Sequence, residues 1–221
     1  MEQKMFCYQC EQTAGCTACT GAAGVCGKKA GTAKLQDELT GALIGLARAV
    51  DGNEDLVTEK TDALMIESLF MTLTNVNFDD SRIQAQIDRV HREQGRMIPR
   101  CAVCASPCGR NEDYNMEQLW QAEENIRSLK SLLLFGLRGM AAYAYHAMVL
   151  GYTDNTVNQF FYEALMQIGL DLTMEELLPE VLSWEKSTSL YGIAGSCQTR
   201  KPTAHRSRPR YPCRSMPDRL L

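Results

Sequence analysis

Apolar residues recur at helical spacing through most of the chain. Leu35, Leu39, Leu43, Leu46 and Val50 fall three or four residues apart and line one helical stripe. Leu64, Leu69, Met71 and Leu73 predict a second helix that ends before the polar turn NVNFDD. Ile83, Ile87 and Val90 mark a third. From Met116 to Leu150 a long pattern runs through NIRSLKSLLLFGLRGMAAYAYHAMVL and predicts two helices, or one bent at Gly136 or Gly139. Asp154 is placed to cap a helix carrying Val157, Phe161, Leu165 and Ile168. Thr173 with Glu176 forms the capping box of a last one. No strand-like alternation interrupts this series, so residues 34–182 are expected to form an all-α helical bundle.

The pattern fails at both ends. Residues 1–33 are rich in Cys, Gly and Thr, with little apolar periodicity, and read as a loop wrapped around a ligand. Helical periodicity stops at Leu182. Beyond it Arg, Pro and Ser take over, and Asp218 is the only acidic residue after Glu185. Residues 183–221 lack an apolar face to offset the entropy of ordering, so a disordered tail is expected.

Composition narrows the class. The chain has 221 residues, enough for a real core, and a net charge of -4, which argues against wholesale nucleic-acid binding. No apolar run of membrane-spanning length stands out, because Arg127, Lys130 and Arg138 interrupt the longest candidate. The opening MEQKMF is not followed by a signal-peptide core, so a cytoplasmic location is expected. In that reducing compartment ten cysteines point to metal or redox chemistry rather than disulfides.

Half of those cysteines sit in FCYQCEQTAGCTACTGAAGVCGK, as Cys7, Cys10, Cys16, Cys19 and Cys26. The Cys7-x2-Cys10 pair can bind one metal or one edge of a cluster, and Cys19 and Cys26 can complete a four-thiolate set. Gly15, Gly21, Gly24 and Gly27 allow the backbone to curl tightly and turn N–H groups toward an anionic ligand. An iron–sulfur cluster is the preferred reading. Structural zinc competes, since Cys16-x2-Cys19 offers a second close pair. A set of free thiols is the bland alternative.

The same residues carry a family resemblance. FCYQCEQTA, then ACT and GVCGK, resembles the N-terminus of the hybrid cluster (prismane) proteins, the hydroxylamine reductases. The likeness continues through LQDELTGALIGLARAV, TNVNFDD, RSLKSLLLFGLRGMAAYAYHAMVLGYTD and LTMEELLP, over roughly residues 5–182. It implies that Cys7, Cys10, Cys19 and Cys26 ligate a cluster, [4Fe-4S] by the short spacing or else [2Fe-2S], with Cys16 spare. It further implies reduction of hydroxylamine to ammonia and water at a second, hybrid iron–sulfur–oxygen cluster. That cluster's ligands are expected only in the later two-thirds of a full-length family protein. On that reading this chain is an electron-relay portion, inactive by itself, fed by an electron-donor reductase or a ferredoxin-like protein. Neither a nucleic acid nor a membrane is an expected partner. A zinc-binding interaction module and a stand-alone electron carrier are the alternatives.

Other chemistry-bearing residues are weaker signals. Cys101, Cys104 and Cys108 form a CxxC-x3-C set one thiolate short of a closed site, as easily a cysteine-rich surface loop as a metal site. His146, in an apolar helical stretch, is expected to be a hydrogen-bonded core residue, and His91 to face solvent. Glu123 and Glu124 are adjacent and so do not face one another across a helix. Tyr143, Tyr145 and Tyr152 are expected to pack.

The tail has its own explanation. In the resembled family LTMEELLP leads through a glycine-lysine segment into an MALLD…ANT…AYG stretch. Codons for Trp184–Ser189 read two bases out of frame can spell GKVNL. Those for Tyr191–Cys197, one base out, can spell MALLDRA, and those for Gln198–Ala204, two bases out, NTEAYG. Residues from about 183 are therefore read as off-frame translation. The rival is a basic nucleic-acid-binding tail built on Arg200, Lys201, Arg206, Arg208 and Arg210.

Overall fold

The computed structural model describes residues 5–10, 18–73, 76–97 and 112–187. Most of these residues lie in seven α-helices: α1 (Ala30–Val50), α2 (Glu59–Met71), α3 (Asp80–Met97), α4 (Met116–Trp120), α5 (Glu124–Val149), α6 (Asn155–Gly169) and α7 (Met174–Ser187). Among the described residues there is no strand, only one isolated bridge in the cysteine segment, so the all-α expectation holds. The expected Cys101, Cys104 and Cys108 site and residues 188–221 of the expected off-frame tail lie outside the described residues, as does Cys16. Helix α7 itself runs to Ser187, past the point where periodicity fades at Leu182.

Helix α1 is the axis of the bundle. Its Leu39, Ala42, Leu43, Ile44 and Leu46 are fully buried, and burial extends round most of its circumference. A helix apolar nearly all round needs neighbours on every side, and α2, α3, α4 and α6 all pack on it. The approach is close where glycines permit. A Cβ on Gly41 would fall onto the Tyr114 carbonyl, and the Tyr114 N–H donates to the Gly41 carbonyl at 3.1 Å. The segment entering α4 therefore crosses α1 in backbone contact. Helix α5 lies across α2, α6 and α7.

Most predicted elements are in place, for the predicted reasons. Ile83, Ile87 and Val90 form the buried face of α3. Asp154 accepts from Thr156 N–H at 2.9 Å and Val157 N–H at 3.2 Å, capping α6. Thr173 and Glu176 close their capping box at the start of α7. The long pattern from Met116 forms two helices, the first of the two expected forms. Helix α5 continues unbroken past Gly136 and Gly139, and the break falls at residues 121–123, where the Glu123 carboxylate caps α5 by accepting from Asn125 and Ile126 N–H. A side-chain cap that satisfies two orphan donors starts a new helix more decisively than a glycine stops one.

Helix α5 is long and apolar enough, by length and composition, to cross a membrane. Two of its charges are nevertheless buried within the bundle, where Lys130 donates to the Leu170 carbonyl at 2.6 Å and Arg138 is tied to three elements. His146 corrects an expectation: it is exposed rather than in the core, edge-on to Phe70 at 5.8 Å. His91 faces solvent as expected, with Nε2 2.8 Å from Asp113 Oδ2. Of the tyrosines, Tyr145 stacks on Phe70, while Tyr143 stands exposed.

Candidate metal centre

The cysteine segment is held against the first turns of α1. Cys7 and Cys19 exchange both backbone hydrogen bonds across the bridge, Cys7 N–H to the Cys19 carbonyl at 3.1 Å and Cys19 N–H to the Cys7 carbonyl at 2.9 Å. Directly opposed antiparallel residues present their side chains on one face, so these two thiols are neighbours. Met5, Cys7 and Ala33 form a small apolar cluster joined by Cys19 and Ala30, which seats the bridge on α1.

Cys26 arrives by a tight loop. Gly24 N–H donates to the Lys28 carbonyl and Gly27 N–H to the Gly24 carbonyl, both at 2.8 Å. Gly27 has φ 81°, which favours glycine. A Cβ on Gly24 would lie 3.3 Å from the Met5 side chain and 3.6 Å from Cys26 Sγ. The bare glycine therefore lets the Cys26 loop close onto the segment that carries Met5 and Cys7. Cys7 is buried, and Cys10, Cys19 and Cys26 are half-buried; all four are free thiols. Burial raises the Cys7 pKa, and the nearby Lys28 charge opposes that rise. Among the described residues no three Cys, His, Asp or Glu side chains stand close enough together to grip a single metal ion.

Beneath the cysteines lies a layer of buried charge. Lys28 is 1% exposed and its ammonium donates to Gln36 Oε1; Gln36 in turn donates to the Asn77 carbonyl. Arg138 is fully enclosed. Its Nε donates to Thr72 Oγ1 at 3.0 Å, Nη1 to the Gln9 carbonyl at 3.1 Å and Nη2 to Thr40 Oγ1 at 3.1 Å. Asp37 completes the layer, accepting from Gln9 Nε2 and, at 3.4 Å, from Trp120 Nε1. Burial pushes the Asp37 pKa up to about 6, against the pull of Arg138. Burial lowers Arg138 to about 10, which leaves it a cation at neutral pH; Asp37, Cys7 and Cys10 act the other way.

Sequence reasoning singled out four cysteines as candidates and missed this layer. A signal existed. Gln36 and Thr40 share a helical face of α1 with apolar neighbours, and Arg138 lies in the apolar run of α5. Charge at a core position is costly and asks for a partner.

Two buried cations thus face one buried carboxylate, which leaves an excess of positive charge. The natural complement is anionic, and thiolates holding a metal group are anionic. In donor chemistry and in charge, the residues present fit a thiolate-ligated cluster.

Residues 5–202 match the family described as Prismane/CO dehydrogenase family. This chain belongs to that family. Among similar prismane-type proteins, one named hydroxylamine reductase from Methanocella arvoryzae is 43% identical over 184 residues, covering 73% of this chain and 34% of the relative. One of the same name from Methanococcus vannielii is 36% identical over 201 residues, covering 82% and 37%. Another, from Porphyromonas gingivalis, is 38% identical over 213 residues, covering 87% and 38%. The chain therefore spans a little over a third of the length of these relatives. The Prismane match also reaches beyond residue 182, into the segment read from sequence as off-frame.

Proposed function

We propose that this chain is the N-terminal iron–sulfur electron-relay portion of a cytoplasmic hydroxylamine-reducing oxidoreductase. Cys7, Cys10, Cys19 and Cys26 would hold the group, a [4Fe-4S] cluster or, less in keeping with the spacing, [2Fe-2S]. The observation that carries this is buried positive charge beside the cysteine pair: Arg138 bonds the Gln9 carbonyl between Cys7 and Cys10, and buried Lys28 acts on Cys7. When bound there, such a group supplies one-electron transfer.

The chain's own residues do the rest. The Cys7–Cys19 bridge pairs two of the candidate ligands, and the Gly24–Lys28 loop carries Cys26; binding of the group would draw the four thiols together. Met5 and Ala33 exclude water from the α1 side, and the two buried cations balance thiolate charge. Electrons would come from a reductase or ferredoxin-like donor. In the intact protein they would serve the balanced reaction NH2OH + 2H+ + 2e- to NH3 + H2O at the hybrid cluster.

Anaerobic reconstitution with iron and sulfide tests the site. A brown, redox-active protein is expected, with iron retained in Cys16→Ser and lost in Cys19→Ser, because Cys19 is the residue bridged to Cys7. A colourless protein holding stoichiometric zinc would overturn the reading. Iron lost in Cys16→Ser but kept in Cys19→Ser would overturn the ligand register.

A further inference from the structure

Arg138 reaches the cysteine segment from a helix far away in sequence. It projects from the middle of α5, and its guanidinium joins three elements. Thr72 ends α2, Thr40 belongs to α1, and Gln9 lies between Cys7 and Cys10. All three acceptors are neutral oxygens. A buried guanidinium that carried charge only for structural reasons would normally be matched by a carboxylate in direct contact. Asp37 is close enough to act on Arg138 electrostatically, but its oxygens bond Gln9 and Trp120 instead. The other groups acting on Arg138 are Cys7 and Cys10 themselves. Lys28, the second buried cation, likewise bonds a neutral amide, Gln36.

We propose that Arg138 is a positioning and potential-setting residue of the metal centre: it fixes the Cys7–Cys10 turn through the Gln9 carbonyl and, with Lys28, stabilises the reduced form by placing buried positive charge beside the thiolates. The inference rests on the iron–sulfur reading of the site. Reduction adds one negative charge to a centre already anionic, and the two cations facing it are themselves shielded from water. A fixed cation therefore favours the reduced form more than the oxidised one, and raises the potential. Arg138 does this without donating to a thiol, and Gln9 relays its position.

The test uses the full chain, reconstituted anaerobically and titrated against potential with absorbance and electron paramagnetic resonance readouts. Arg138→Gln keeps polar hydrogen bonding and removes the charge. It is expected to lose at least tenfold in relative affinity for the electron, a fall of about 59 mV for a one-electron couple. Arg138→Lys is expected to recover most of that fall. Thr72→Val removes one bond to the guanidinium while keeping its charge, and is expected to lower thermal stability with the potential unchanged. An unmoved potential in Arg138→Gln at wild-type iron content would overturn the inference. So would equal shifts in Arg138→Gln and Arg138→Lys, which would assign the effect to geometry rather than charge.

If Arg138→Gln fails to retain iron, Lys28→Gln decides, since it removes the other buried cation. The same downward direction supports the inference, and no shift overturns it. A wild-type chain that takes up zinc and no iron would sink the iron–sulfur reading, and this inference with it. A brown wild type with unresponsive variants would sink the inference alone.

Discussion

Asp37 shows how one residue can oppose the fold that contains it. Its carboxyl is buried beneath the cysteines and its pKa is raised to about 6, with burial the largest cause. A raised acid pKa means that the folded state binds the proton more tightly than the unfolded state. Between about pH 4 and 6 the folded chain carries the extra proton, so stability falls as pH rises through that window. Above it the carboxylate is ionised in both states, and the cost of holding that charge buried is fully present. A shift of about two units corresponds to roughly 3 kcal/mol. Urea unfolding of the metal-free chain is therefore expected to give a higher midpoint at pH 4.5 than at pH 6.5, after correction for groups at the surface. Asp37→Asn is expected to flatten that slope. An unchanged slope in Asp37→Asn would show that other groups produce it.

At the scale of elements, two glycines with the same sequence-level meaning have opposite structural ones. Gly41 lies mid-way along α1 with the Tyr114 backbone against it. Adding a methyl there forces backbone apart, and Gly41→Ala is expected to cost about 1–3 kcal/mol or more, read as a lower thermal midpoint. Gly136 lies mid-way along α5, is exposed, and has nothing within 4 Å of the position a Cβ would take. Gly136→Ala is expected to stabilise the chain by about 0.5–1 kcal/mol, because a helix-interior glycine gives up more backbone entropy than alanine. Opposite signs in the two variants are the expected outcome of differential scanning calorimetry. Periodicity predicted both helices yet suggested a bend at Gly136 or Gly139. Which glycine serves close approach depends on a neighbour more than seventy residues away, and that lies outside any local pattern.

At the scale of the whole molecule, four cysteine ligands would leave no open coordination position, and the described histidines and carboxylates form no group able to hold a metal ion. The chain by itself is therefore expected not to turn over hydroxylamine, measured as ammonia formed with a reduced viologen as donor. Ammonia produced at a steady rate by the purified chain would show that a catalytic site exists within it.

The all-α class, the caps at Asp154 and Thr173, and the four candidate cysteines were legible because each rests on residues a few positions apart. Helical stripes, capping boxes and a Cys-x2-Cys pair are local chemistry, written in spacing. The charged layer was not legible in that way. Lys28 precedes α1, Asp37 lies on it and Arg138 lies on α5, so their positions in sequence give no sign that they meet. Only when α5 packs across α2, and the cysteine segment folds back onto α1, do Thr72, Thr40 and the Gln9 carbonyl converge on one guanidinium. The sequence determined which side chains carry charge and where helices form. Tertiary packing decided which charges are shielded from water and therefore strong enough to act on the cysteines, because the strength of a charge depends on the dielectric around it.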